Sequence, residues 1–150
     1  MVHSMNCFNI RKMQKEDKDS IISMMQTFYS SDAVSTNGSI EIFENDFENC
    51  INDSPYLDGF VFYNEKELQG YAMIAKSFST EFGKACYWIE DLYVKTDYRG
   101  LGIGTAFLKY IENIYPNVIF RLEVEEENER AVHVYKKCGF TTLPYAEMKK

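Results

Sequence analysis

The run Asp97-Tyr98-Arg99-Gly100-Leu101-Gly102-Ile103-Gly104-Thr105-Ala106-Phe107 (DYRGLGIGTAF) places three glycines at alternate positions, behind an arginine and ahead of an apolar helical stripe. Glycines permit positive φ and clear the space above a turn. A helix that starts there adds unpaired amides and the positive end of its dipole. Such a turn suits an anion, and phosphate above all. A P-loop requires GxxxxGK[ST], and the sequence contains no such run. A dinucleotide fingerprint requires GxGxxG. Counted from Gly100, it meets Gly102 and then Thr105 where the third glycine belongs. RxxGxG fits, at Arg99, Gly102 and Gly104.

Elements can be read outward from the turn. Behind it, Ile103, Phe107, Ile111 and Ile114 form a helix stripe that Pro116 stops. The run VIFRLEV, Val118 to Val124, is rich in β-branched residues and predicts a strand. ENERAVHVYKKCGF follows as a helix with Ala131, Tyr135 and Cys138 on one face and Gly139 as its cap. AEMKK is expected as a short last edge strand. Ahead of the turn, Ala85 to Val94 reads as a long strand. LDGFVFYNEKELQGYAMIAKSF reads as two strands around a polar turn at Asn64 to Glu67. Ile40, Phe43, Phe47 and Ile51 mark a helix capped by Ser39 and ended by Asp53-Ser54-Pro55. Before it lie a loop, SSDAVSTNG, a helix with Ile21, Ile22, Met25 and Phe28 in step, and a first strand over Phe8 to Met13. The order β-α-α-β-β-β-α-β-α-β implies a mixed sheet with helices on both faces.

Composition bounds what this fold does. The 150 residues are 45% hydrophobic, enough for one domain over residues 1–150 with a core of its own. Sixteen basic residues against 23 acidic ones leave a net charge of −7, which weighs against a nucleic-acid or anionic-membrane partner. There is no apolar run of membrane-spanning length, and MVHSMNCFNI lacks the apolar stretch of a signal peptide. Cys7, Cys50, Cys86 and Cys138 form no CxxC pair. They read as free thiols of a cytoplasmic protein rather than as disulfides or a metal centre.

WIEDLYV before the turn and NERAVHVYKKCGF after it complete a larger pattern. Over roughly Tyr71 to Phe140 the sequence resembles the GNAT family, the acetyl-CoA-dependent N-acetyltransferases. The shared features are a strand ending in LYV, the loop RGLGIG, and the run Asn128-x-x-Ala131-x-x-x-Tyr135-x-x-x-Gly139-Phe140. IEDLYVKTDYRGLGIG is similar to the polyamine and diamine acetyltransferase branch. The resemblance implies the GNAT fold, of α/β (α+β) class, with a mostly antiparallel sheet splayed between its fourth and fifth strands. It implies that Leu92, Tyr93 and Val94 hold pantetheine through backbone groups. Arg99, Gly100, Leu101, Gly102, Ile103, Gly104 and Thr105 would hold the pyrophosphate of coenzyme A, with Asn128, Ala131 and Tyr135 bordering the cofactor. A homodimer is the family expectation.

Acetyl transfer to a primary amine needs three things: a base for the amine, a donor for the oxyanion, and a proton for the departing sulfur. The resemblance makes Tyr135 the acid. It makes Glu90 the base, nine residues before Arg99, working through water. Asp91 competes with it. Neighbours on a strand face opposite sides, so one of the two carboxylates is expected to reach the cleft. A backbone N–H such as that of Tyr93 would hold the oxyanion. The acidic run LEVEEENE, with Glu123, Glu125, Glu126, Glu127 and Glu129, reads either as a steering surface for a cationic acceptor or as a solvated loop. Tyr29, Ser31 and Asp32 are expected to line the acceptor pocket with Glu90 and Asp91. The leading reading is a small-molecule amine acetyltransferase. The alternatives are a non-catalytic acyl-CoA-binding module and a protein or peptide N-acetyltransferase.

Overall fold

The computed structural model describes residues 7–34 and 38–150. The first six residues, and residues 35–37 of the loop expected before the second helix, lie outside them. The elements run β1 (Asn9–Lys12), a 3-10 turn (Lys15–Asp17), α1 (Lys18–Tyr29), α2 (Ile40–Ile51), β2 (Leu57–Tyr63), β3 (Leu68–Ser79) and β4 (Lys84–Val94). A second 3-10 turn (Thr96–Tyr98), α3 (Ile103–Ile114), β5 (Ile119–Leu122) and α4 (Glu129–Lys137) follow. The sheet order is β1-β2-β3-β4-β5. The first four strands pair antiparallel, and β5 lies parallel to β4. A parallel neighbour needs a crossover, and α3 supplies it.

Strand alternation builds two cores. Val61, Tyr71, Met73 and Tyr93 meet Ile21, Met25, Phe43 and Phe47 of α1 and α2. Phe60, Phe62, Ala72 and Ile74 meet Ile103, Phe107, Leu108 and Ile111 of α3. Burying one such large side chain stabilises by about 1.5–3 kcal/mol. Ser39 caps α2 as expected, its Oγ accepting from the Ile42 amide at 3.3 Å.

Two departures from the sequence reading bear on the site. Residues 146–150 form no strand, so AEMKK adds nothing to the sheet. Met148, and Leu143 and Tyr145 just before this stretch, all stay exposed, so a strand would bury nothing. The strand read over Val118 to Val124 shrinks to Ile119–Leu122. It pairs with Cys86 to Ile89 only. From Glu90 to Val94, β4 keeps β3 on one side and, among the described residues, has no strand on the other. The fourth and fifth strands therefore part at Glu90.

Candidate active site

The glycine turn sits where β4 hands over to α3. Gly100 and Gly102 have φ of +80° and +88°, and Gly102 is the residue from which α3 starts. A Cβ on Gly102 or Gly104 would meet nothing within 4 Å, so the space above the turn is open. The first bond closing α3 runs from the Ala106 amide to the Gly102 carbonyl at 2.9 Å. The amides of Ile103, Gly104 and Thr105 precede it and have no partner within the helix. Ile103 is buried and anchors this end. An open cradle of free amides at a helix start fits a pyrophosphate.

Arg99 braces the turn. Its Nε donates to the Val94 carbonyl at 2.8 Å, and its guanidinium lies 5.7 Å from the centre of the Tyr93 ring. The other flank is held by Tyr98, whose hydroxyl donates to Glu67 at 2.6 Å. A second arginine, Arg130 of α4, lies 3.6 Å from where a Gly100 Cβ would be. It brings a cation to the cradle that the sequence reading missed, although it stands inside the Asn128-x-x-Ala131 frame. The Asn128 side chain itself caps α4, its Oδ1 accepting from the Ala131 amide at 3.3 Å.

The β3–β4 ladder fixes which backbone groups face the splay. The Lys95 amide donates to the Gln69 carbonyl at 2.8 Å, and a Cβ on Gly70 would lie 2.2 Å from the Tyr93 carbonyl. Tyr93 and Lys95 thus turn their backbone groups to β3. In an antiparallel ladder the alternate residues turn theirs away. Leu92 and Val94 therefore present backbone groups to the splay, and Tyr93 does not. This corrects the expectation that the Tyr93 N–H faces a ligand there.

The two acidic residues lie at the apex of the splay. Met73 is opposite Asp91 and Ile74 is opposite Ile89, so Glu90 is the extra residue of a β-bulge. A bulge shifts the alternation by one. Ile89 packs in the α3 core, yet Asp91, two residues on, reaches the α1 side. The insertion thus sets Ile89 and Asp91 on opposite sides of β4. Asp91 is 3% exposed. It accepts from the Tyr29 hydroxyl at 2.8 Å and the Tyr71 hydroxyl at 2.7 Å. Burial pushes its carboxyl above the ordinary range while both phenols hold it down. Glu90 reaches solvent, and desolvation by its surroundings, then the Asp91 charge, push its carboxyl up. Asp46 of α2 is pushed up to about 6 by burial and by Asp91.

Other expected residues divide. Tyr29 joins this network. Asp32 does not: it is exposed in the turn after α1 and makes no hydrogen bond or ion pair among the described residues. Ser31 Oγ donates to the Phe28 carbonyl at 2.6 Å. Tyr135 is half-buried against the α3 core, its ring 5.9 Å edge-on from Phe140, and burial raises its hydroxyl above the usual phenol range. A cavity of about 290 Å3 opens between α1 and the start of α2 and is lined by Tyr29 and Phe43. Another, of about 400 Å3, lies between α3 and the end of α4; Glu90, Asp91 and Tyr135 do not line it. Tyr71 and Asp46 were not read from the sequence. A tyrosine amid the small apolar residues of GYAMIA was the available signal, since a buried hydroxyl needs a partner.

Comparison with known proteins follows the same geometry. The model of the Acetyltransferase (GNAT) family matches residues 20–140. Thialysine N-epsilon-acetyltransferase of Sus scrofa is 37% identical over 83 residues, 53% of this chain and 48% of that protein. The chain thus spans about half the length of that curated relative. Among solved structures, a possible acetyltransferase from Clostridium difficile 630 superposes with a TM-score of 0.81 at 21% identity, covering 95% of this chain and 96% of that one. A predicted acetyltransferase from Clostridium acetobutylicum, solved with acetyl-CoA, gives 0.77 at 21% identity and the same coverage. At such identities the likeness is one of fold.

Proposed function

The chain belongs to the acetyltransferase (GNAT) family, and on that premise we propose that it transfers the acetyl group of acetyl-CoA directly to a primary amine of a small molecule, a diamine, polyamine or lysine-like amino acid. One observation carries this reading: β4 parts from β5 at Glu90, between a buried acidic network on one side and the open glycine cradle on the other. The cradle amides of Ile103, Gly104 and Thr105 would hold the pyrophosphate, with Arg130 beside them. The splay-facing backbone of Leu92 and Val94 would hold the pantetheine arm. Bound there, the cofactor supplies an acetyl group already activated as a thioester.

The chain's own residues supply the rest. Glu90 takes the proton that the ammonium must lose, through water, and its raised carboxyl makes it a better base than an ordinary glutamate. An N–H of Leu92 or Val94 would face the oxyanion. The Tyr135 hydroxyl would supply the proton that the thiolate of coenzyme A needs. The cavity beside Tyr29 gives the acceptor a way in. The similarity to a protein named for thialysine, a lysine-like amine, supports this acceptor class.

The same reading takes residues 1–150 as one domain, in a reducing cytoplasm, as a homodimer. Four free cysteines support the compartment. Sedimentation velocity and a single calorimetric transition check the assembly and the domain count.

A thiol-release assay over diamines, polyamines, lysine-like amino acids and lysine peptides tests the function. The expected result is amine-stimulated release that is strongest with one small primary amine. Tight acetyl-CoA binding with no stimulated release would instead make the chain an acyl-CoA-binding module. Release with peptides alone would make it a protein acetyltransferase.

A further inference from the structure

A carboxylate as buried as Asp91 is costly to hold, and it persists only where partners satisfy it. Among the described residues no basic side chain pairs with Asp91; the ion pairs use Arg11, Lys12, Lys18, Lys76 and Lys95 with other acids. Two phenols satisfy it instead, and they come from different elements. Tyr29 ends α1, and Tyr71 stands in β3 opposite Tyr93. Three elements are thus tied at one anion, next to the bulge residue Glu90 and at the point where β4 leaves β5.

We propose that Asp91 is a positioning residue, which clamps Tyr29 of α1 and Tyr71 of β3 against the bulge and so fixes the Glu90 carboxylate at the apex of the splay. The proposal rests on the reading of Glu90 as the base. Asp91 does not itself take the proton. It is walled off from solvent, and both its oxygens are occupied by phenol donors.

Electrostatics supports the same division of labour. The groups facing Glu90 are Asp91 on its own strand, Asp46 of α2, Tyr29 of α1, and Glu123 and Glu147 beyond β5. Desolvation raises the Glu90 carboxyl first and the Asp91 charge second. Burial raises the Asp91 carboxyl while the two phenols draw it back down, and the Asp91 charge in turn raises the carboxyl of Glu90. A side chain that only filled space would have no such effect.

The test is a carboxyl titration by carbon-13 NMR on the full chain, with no ligand present. In Asp91→Asn the Glu90 midpoint is expected to move down. In Tyr29→Phe the ring keeps its contacts with Phe28 and Phe43, and the Asp91 midpoint is expected to move up. Should Asp91→Asn fail to fold, the Tyr29→Phe titration decides alone. On the best amine, Asp91→Asn should lose about tenfold or more in kcat/KM, with the acid limb of the rate profile shifted to lower pH. An unchanged Glu90 midpoint in folded Asp91→Asn, or an unchanged Asp91 midpoint in Tyr29→Phe, overturns the proposal. The titrations need no acceptor. A wild-type protein that acetylates no amine therefore defeats the functional reading, while the midpoints still decide the role of Asp91.

Discussion

Removing one oxygen from Tyr135 separates its two possible roles. Tyr135→Phe keeps the ring against Phe140 and the α3 core and deletes only the proton donor. If the hydroxyl serves the departing sulfur, kcat should fall by about 10- to 10³-fold while acetyl-CoA affinity by calorimetry stays put. An unchanged kcat would make the tyrosine a packing residue. Its place on the α4 face was legible, because helical spacing puts Ala131, Tyr135 and Cys138 in line. The pair Glu90 and Asp91 was legible as chemistry and illegible as geometry. Strict alternation separates neighbours onto opposite faces, but one inserted residue in β4 shifts the phase, and no residue type announces that insertion. Arg130 and Asp46 were hidden for a related reason: each lies far along the chain from the group it faces.

At the scale of the element, the β4–turn–α3 unit was read almost whole. Its features are local: glycines at fixed steps, then an apolar stripe of helical period. At the last residues the sequence misleads, because the alternation of Ala146 and Met148 is too short to bury anything, and Met148 stays exposed. The unit makes its own prediction. Gly104 lies in the first turn of α3 without positive φ, and a side chain there meets open space. Gly104→Asp should therefore fold, with a circular dichroism spectrum and Tm near the parent's. Its carboxylate would occupy and repel the place of the pyrophosphate, so acetyl-CoA affinity should drop by at least 100-fold, or about 2.7 kcal/mol. Gly102→Asp should do the same with an added loss of stability, because φ is +88° there. A folded Gly104→Asp that binds acetyl-CoA as the parent does would remove the cradle from the site.

Across the whole molecule, the sum of charge was visible in the sequence, but its partition was not, because the fold sets burial and partners. The net charge of −7 conceals two kinds of carboxyl. Asp17 and Asp58 sit below their usual range. Burial opposes this, but Arg11 and the Gln14 amide outweigh it at Asp17, and Tyr115, Lys76 and Lys12 outweigh it at Asp58. Asp46 is raised to about 6 by burial and then Asp91, and Glu123 to about 7 by its hydrogen bond with Glu147 and then burial. Unfolded carboxyls titrate near 3.9–4.3, roughly. From pH 7.5 down to about 5, the native chain therefore takes up protons at Asp46 and Glu123 that the unfolded chain does not, and linkage makes stability rise as pH falls. Below about pH 4 the sign reverses. The unfolded chain then gains protons that paired Asp17 and Asp58 resist, so the stability they contribute drains away. Tm measured at constant ionic strength should pass through a maximum near pH 5, with Tm at pH 5.5 above that at pH 7.5. Asp46→Asn should raise Tm at pH 7.5 and flatten the slope above pH 5.5, since the amide carries no charge to confine beside Asp91. A Tm that stays level or falls between pH 7.5 and 5.5 would mean that Asp46 and Glu123 are solvated as ordinary surface acids, and that the acidic network at the apex of the splay is looser than its geometry requires.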